Sequence, residues 1–216
     1  NNWDNVIIMI IIASVFDMLD GRVARLLKSN SEFGMLLDSL SDFVVFGAVP
    51  AFAVYLWMDK PQGNLFWIII VLYVICSALR LARFNSELSE RPSYAKNYFN
   101  GVPTPAAAFL MLFPIAIDGY LEAQNLKSFE NIGVWIGFIS IAMVSNLPTF
   151  SGKVFQIPKS YVIPMLIILA LLSNAIISNP IKGFIILVLV YIFSLPFASL
   201  FYWRLKKKAE ALNLKS

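Results

Sequence analysis

The chain has 216 residues, 59% of them hydrophobic and 14% charged, with a formal net charge of +4. A soluble domain of this size cannot hide so much apolar surface, so the composition excludes one and predicts a single membrane-embedded domain over residues 1 to 216. Histidine is absent and the one cysteine, Cys76, lies in an apolar run. That excludes an intrachain disulfide, gives Cys76 a packing role, and leaves any acid–base or metal chemistry to carboxylates.

In chain order, apolar runs of membrane-crossing length predict seven helices, over about 4–28, 33–58, 64–86, 102–121, 131–148, 160–179 and 181–205. The fold class is therefore all-α, a polytopic transmembrane helix bundle. The first run follows NNWDN, with no basic leader or small-residue cleavage site, so it reads as a span rather than a signal peptide. A native N-terminal piece is expected ahead of it. The connectors DKPQGN, NGVPTP, SNLPTFSGKVFQIPKS and SNPIKG carry the Pro and Gly that end helices.

Charge sets the orientation. With the C-terminal end of the first helix in the cytoplasm, all of the 17 basic residues except Lys60, Lys127 and Lys182 fall on the cytoplasmic side. The tail from about 204, WRLKKKAEALNLKS, reads as a basic cytoplasmic helix extension, either a topology anchor or a contact for anionic lipid. This predicts a multi-pass protein of the cell membrane, with no nucleic-acid partner.

Four aspartates break the apolar pattern of the first two spans: Asp17, Asp20, Asp38 and Asp42. An ionised carboxylate at membrane depth costs roughly 2.5–3.5 kcal/mol, so four require about 10 kcal/mol of compensation. Asp17 and Asp20 are three apart and Asp38 and Asp42 four apart, so on helices each pair projects from one face. Carboxylates without His or Cys suit Mg²⁺, Mn²⁺ or Ca²⁺, one ion or two bridged ions. Gly21, Ala24 and Gly34 allow close approach, and Arg25 follows; the set suits a metal-bound diphosphate, with Arg25 forking a phosphate oxygen. A cation or proton pathway through the membrane is the alternative from the residues alone.

The full string, Asp17-x-x-Asp20-Gly21-x-x-Ala24-Arg25, then Gly34, Asp38 and Asp42, resembles the signature D-x2-D-G-x2-A-R-x8-G-x3-D-x3-D of the CDP-alcohol phosphotransferase family. The resemblance implies a membrane enzyme in which an incoming hydroxyl displaces CMP from a CDP-linked lipid or alcohol. It implies that Asp17, Asp20, Asp38 and Asp42 hold a di-metal centre of Mg²⁺ or Mn²⁺. Gly21, Ala24, Arg25 and Gly34 would line the CDP site, Asp42 would also be the general base, and the protein would be a homodimer. The family core has six transmembrane helices, with the motif running from the second into the third. Here the motif starts in the first visible helix, so the core's first helix is expected upstream and the last two spans are additions.

A second block refines the acceptor. In CSALRLARFN, Arg80 and Arg83 are three apart, so both heads can face one side at a helix end, where they would receive a phosphate or carboxylate or simply anchor the span. With the following FNGVPTPAAA, this block resembles the phosphatidylserine synthase branch of the family. That resemblance implies CDP-diacylglycerol and L-serine as substrates and CMP as a product, with Arg80, Arg83 and Asn85 binding serine. The competing expectations are glycerol 3-phosphate or an inositol phosphate as acceptor, and, in a different class, a cation transporter.

Overall fold

In the computed structural model the apolar runs that lie within the described residues become helices close to those expected, the last continuing past 205 through the basic tail to Asn213. The structure describes residues 2–26, 31–58, 63–87, 98–121, 127–150, 164 and 178–213. The helices are α1 (Asn2–Leu26), α2 (Glu32–Asp42), α3 (Val49–Trp57), α4 (Gly63–Glu87), α5 (Thr104–Leu121), α6 (Phe129–Val144) and α7 (Pro180–Asn213). A π-helical segment, Phe43–Ala48, joins α2 to α3 without a break, so Phe33–Trp57 is one span. Five spans among the described residues are long and apolar enough to cross a membrane, and α6 is a shorter apolar helix. The helix expected over 160–179 lies outside the described residues, apart from 164, 178 and 179.

α5 is the axis of the bundle. Half of its span is buried, against 11% for α1, and it touches α1, α3, α4, α6, α7 and the π segment. Trp57, Tyr73, Phe46, Phe66, Phe184 and Met111 fill the interior around it. The outer faces carry Phe16, Phe33, Leu36, Val134, Ile141, Phe193 and similar large apolar side chains in the open. A surface of that kind is stable against lipid and not against water.

Among the prolines of the membrane-crossing helices, Pro50 and Pro114 are each answered by a neighbouring helix. Pro50 has no N–H for the Phe46 carbonyl, four residues earlier, and the Tyr73 hydroxyl from α4 donates to that oxygen at 3.0 Å. Pro114 likewise strips the Leu110 carbonyl of its donor, and the Trp135 indole N–H from α6 donates there at 2.8 Å. A carbonyl left bare in an apolar interior costs about 1–3 kcal/mol, so these two bonds let the prolines stay. The wide π turn before Pro50 is held close to α4 by Gly47, where a Cβ would sit 2.7 Å from the Ser77 Oγ.

The FNGVPTP run is not simply a loop. Tyr98–Asn100 (β1) pairs antiparallel with Pro148–Phe150 (β2), with Phe99 opposite Thr149. Gly101 then turns with φ +76, a conformation that favours glycine, and a Cβ there would lie 2.3 Å from the Met143 carbonyl oxygen. Its N–H bonds the Leu147 carbonyl at 2.8 Å, and the Val102 N–H bonds Ala142 at 3.1 Å. α6 consequently ends at Val144, short of the expected 148, because the residues after it are recruited into the small sheet.

Candidate active site

α1 and α2 bring three of the four acids together. One carboxylate oxygen from each of Asp17, Asp20 and Asp38 lies within 4.8 Å of the others, and Asp42 is within hydrogen-bonding reach of Asp17. Asp17 and Asp42 are half-buried, while Asp20 and Asp38 are exposed. Among the described side chains no salt bridge reaches Asp17, Asp20 or Asp38. An all-oxygen donor set this tight fits a hard divalent cation, whose bonds of about 2.0–2.6 Å need only small side-chain rotations to close.

The first turn of α2 is set by Ser31, whose Oγ accepts from the Gly34 N–H at 3.0 Å as an N-cap. That cap fixes the start of the helix nearly two turns before Asp38, so the Asp38–Asp42 face points as it does. Gly21, Ala24 and Arg25 are helical, in the last turns of α1. Their side chains lie outside the described set, so their expected place at the diphosphate is left to the sequence pattern.

From α4, the arginine block meets the acids at one point. Arg80 is 8% exposed, donates to the Thr104 Oγ1 at 2.6 Å, and lies over the Phe84 ring at 5.3 Å. It is also close enough to Asp42 for the two charges to interact. Asn85 donates to the Ser39 Oγ at 2.9 Å, between Asp38 and Asp42 in sequence. Arg83 goes elsewhere. It donates to the Val144 carbonyl at 3.1 Å and to the Asn146 Oδ1, at the end of α6. The two arginine heads, which the spacing allows on one side, thus have different partners.

Thr104 and Ser39 are the contacts that the sequence reading did not single out. The signal for Thr104 was present: a hydroxyl between Pro103 and Pro105, at the mouth of an otherwise apolar helix. Cys76 is buried and free, in the packing role expected of it.

Comparison with known proteins shows the family. The family model described as CDP-alcohol phosphatidyltransferase matches residues 1–145. The CDP-diacylglycerol–serine O-phosphatidyltransferase of Mycobacterium bovis is 34% identical over 194 residues, covering 88% of this chain and 67% of that protein. The protein of the same name from Helicobacter pylori is 36% identical over 142 residues, covering 64% of this chain and 57% of its own length. Its namesake from Methanocaldococcus jannaschii is 36% identical over 148 residues, covering 68% of this chain and 65% of its own.

Proposed function

The chain belongs to the CDP-alcohol phosphatidyltransferase family, whose members generally use divalent metals, and on that premise we propose that it makes phosphatidylserine from CDP-diacylglycerol and L-serine. The observation that carries this reading is the meeting of the Asp17–Asp20–Asp38 cluster and Asp42 with a buried arginine from the serine-branch block. The relatives that match over most of the chain carry the name of that activity.

In this reading Asp17, Asp20, Asp38 and Asp42 hold Mg²⁺ or Mn²⁺, two ions by the number of carboxylates, and the bound metal supplies neutralisation of the diphosphate. Gly21, Ala24 and Gly34 leave room for the nucleotide, and Arg25 forks a phosphate oxygen. Arg80 receives the serine carboxylate, with Asn85 adding a hydrogen bond from α4 and Arg83 contributing charge at the rim. The serine Oγ attacks the β-phosphorus of CDP-diacylglycerol. A new O–P bond forms, the bond from phosphorus to the CMP oxygen breaks, and the hydroxyl proton passes to Asp42. The lipid tails stay in the bilayer while the CDP head group and serine are water-soluble, so the site opens to both.

The sorting of basic residues supports a cell-membrane protein with this site at the cytoplasmic face, where the basic rim also concentrates the anionic nucleotide. A homodimer belongs to the same proposal, and a mass measurement in detergent would test it. The deciding experiment is CMP release in micelles with Mg²⁺ or Mn²⁺. It is expected to require L-serine; release driven by glycerol 3-phosphate or an inositol phosphate would reassign the acceptor. Cation flux into liposomes with no CMP formed would overturn the enzyme reading altogether.

A further inference from the structure

A guanidinium that is 92% buried is useful only if its plane is fixed, because a buried cation with a free rotamer spends its time satisfying itself rather than a ligand. Arg80 is held on two sides. Phe84, one turn on in α4, lies under it, and Thr104, at the start of α5, accepts from Nη1 at 2.6 Å. Thr104 itself is fully buried and has no freedom to spare. Pro103 and Pro105 fix the backbone on either side of it, and the Ala107 N–H closes onto the Pro103 carbonyl at 2.9 Å to start the helix.

The segment leading into Thr104 is braced in turn. Gly101 sits in its left-handed turn against the end of α6, and the Thr149 hydroxyl donates to the Gly101 carbonyl at 3.0 Å. Thr149 lies in β2, beyond residues 1–145 that the family model matches. The whole FNGVPTP run therefore acts as a stiff bracket that presents the Thr104 hydroxyl to the arginine block.

We infer that Thr104 is a positioning residue for the acceptor: its hydroxyl sets the Arg80 guanidinium at the angle that receives the acceptor's anionic group beside Asp42. This rests on the reading of Arg80 as the acceptor-binding residue. It gives the FNGVPTP run a physical purpose, since a run that only turned the chain would need its glycine and prolines but no buried hydroxyl. Touching no substrate itself, Thr104 acts on acceptor affinity and not on the chemical step.

Thr104→Val keeps the shape and removes the acceptor oxygen, whereas Thr104→Ser keeps the oxygen. In the CMP-release assay with the full chain in detergent, Thr104→Val is expected to raise the KM for L-serine about 10-fold or more, the scale of losing a hydrogen bond to a charged group. Its kcat at saturating serine should change less than about 3-fold, with the KM for CDP-diacylglycerol unmoved; Thr104→Ser should return the serine KM to within about 3-fold of the parent. A wild-type serine KM in Thr104→Val, a fall in kcat alone, or a serine variant as impaired as the valine one would overturn the inference. If Thr104→Val does not survive purification, Thr104→Ala against Thr104→Ser carries the same comparison with the same two outcomes. Arg80→Ala in parallel separates the two layers. An unchanged serine KM there overturns the reading of Arg80 itself, while a raised KM there with a normal one in Thr104→Val overturns only the part assigned to Thr104.

Discussion

The two ends of the bundle treat acidic residues in opposite ways. At one end Asp118, near the C-terminus of α5, is fully answered by the protein: the Trp57 indole donates to its Oδ2 at 3.1 Å and the Lys127 ammonium stands 3.8 Å away. Lys127 also lies over the Trp57 ring at 5.1 Å, so acid, base and aromatic close on one another. At the other end Asp17, Asp20 and Asp38 crowd their oxygens together with no described cation among them. The first arrangement stabilises the fold whatever is bound. The second costs the fold like-charge repulsion and desolvation and is worth keeping only if a cation arrives from outside.

The largest expected effect breaks that contrast. Asp38→Asn removes one ligand and one negative charge, and turnover should fall at least about 100-fold, the scale at which even groups behind the ligands act in metal sites. In chelator the same variant should melt at or above the temperature of the parent, because a repulsive charge has gone. Added Mg²⁺ or Mn²⁺ should raise the melting temperature of the parent and leave Asp38→Asn nearly unmoved, since only binding to the folded state stabilises it. An Asp38→Asn protein that melts lower in chelator and keeps its turnover would place Asp38 with Asp118, as a structural acid. Asp42→Asn sharpens the same end. If Asp42 is the base, the variant binds nucleotide almost normally and loses turnover, whereas loss of metal-dependent stabilisation as well makes it a ligand.

Much of this was legible beforehand, for reasons that differ by element. Spans such as Gly63–Glu87 and Thr104–Leu121 follow from apolar length alone, which a bilayer imposes regardless of tertiary detail. The convergence of Asp17, Asp20 and Asp38 follows from helical periodicity once two spans are assumed to be neighbours. What was not legible depends on partners distant in sequence. Arg80 and Arg83 share a helix end, but Thr104 is 24 residues from one and Asn146 63 residues from the other, and those partners decide where each head goes. The π segment is similar: Pro50 announces a disturbed helix, whereas the turn's shape depends on Tyr73 and Ser77 of α4. The β1–β2 pair was hidden because a three-residue strand in a Pro-rich connector has too little pattern to read.

The proline repairs test whether the middle of the bundle, between the two ends, is purely structural. Trp135→Phe keeps most of the ring packing but leaves the Leu110 carbonyl without its donor, and should cost about 1–3 kcal/mol in detergent unfolding. Tyr73→Phe should cost a similar amount through the Phe46 carbonyl. The two should differ in activity, because Phe46 lies in the π segment that begins one residue after Asp42, while Leu110 belongs to α5 and not to that segment. Trp135→Phe is expected to keep the parent's kcat and Tyr73→Phe to lower it. Equal activities would mean that the π segment does not transmit its shape to Asp42.

The smallest effect belongs to the closed cluster, and its smallness is the informative part. Lys127 is about a third exposed, so its ion pair with Asp118 is screened by water and Lys127→Met should cost under about 1 kcal/mol in stability. The methionine chain can still lie on Trp57, retaining the apolar part of the contact, while Asp118 keeps the indole N–H. Turnover and its metal dependence should be those of the parent, since Trp57 is separated from Asp42 by fifteen residues of continuous helix, about 22 Å of rise. A large loss of activity in Lys127→Met would mean that the two ends are coupled through α3, and the division between a self-satisfied end and a ligand-seeking end would no longer hold.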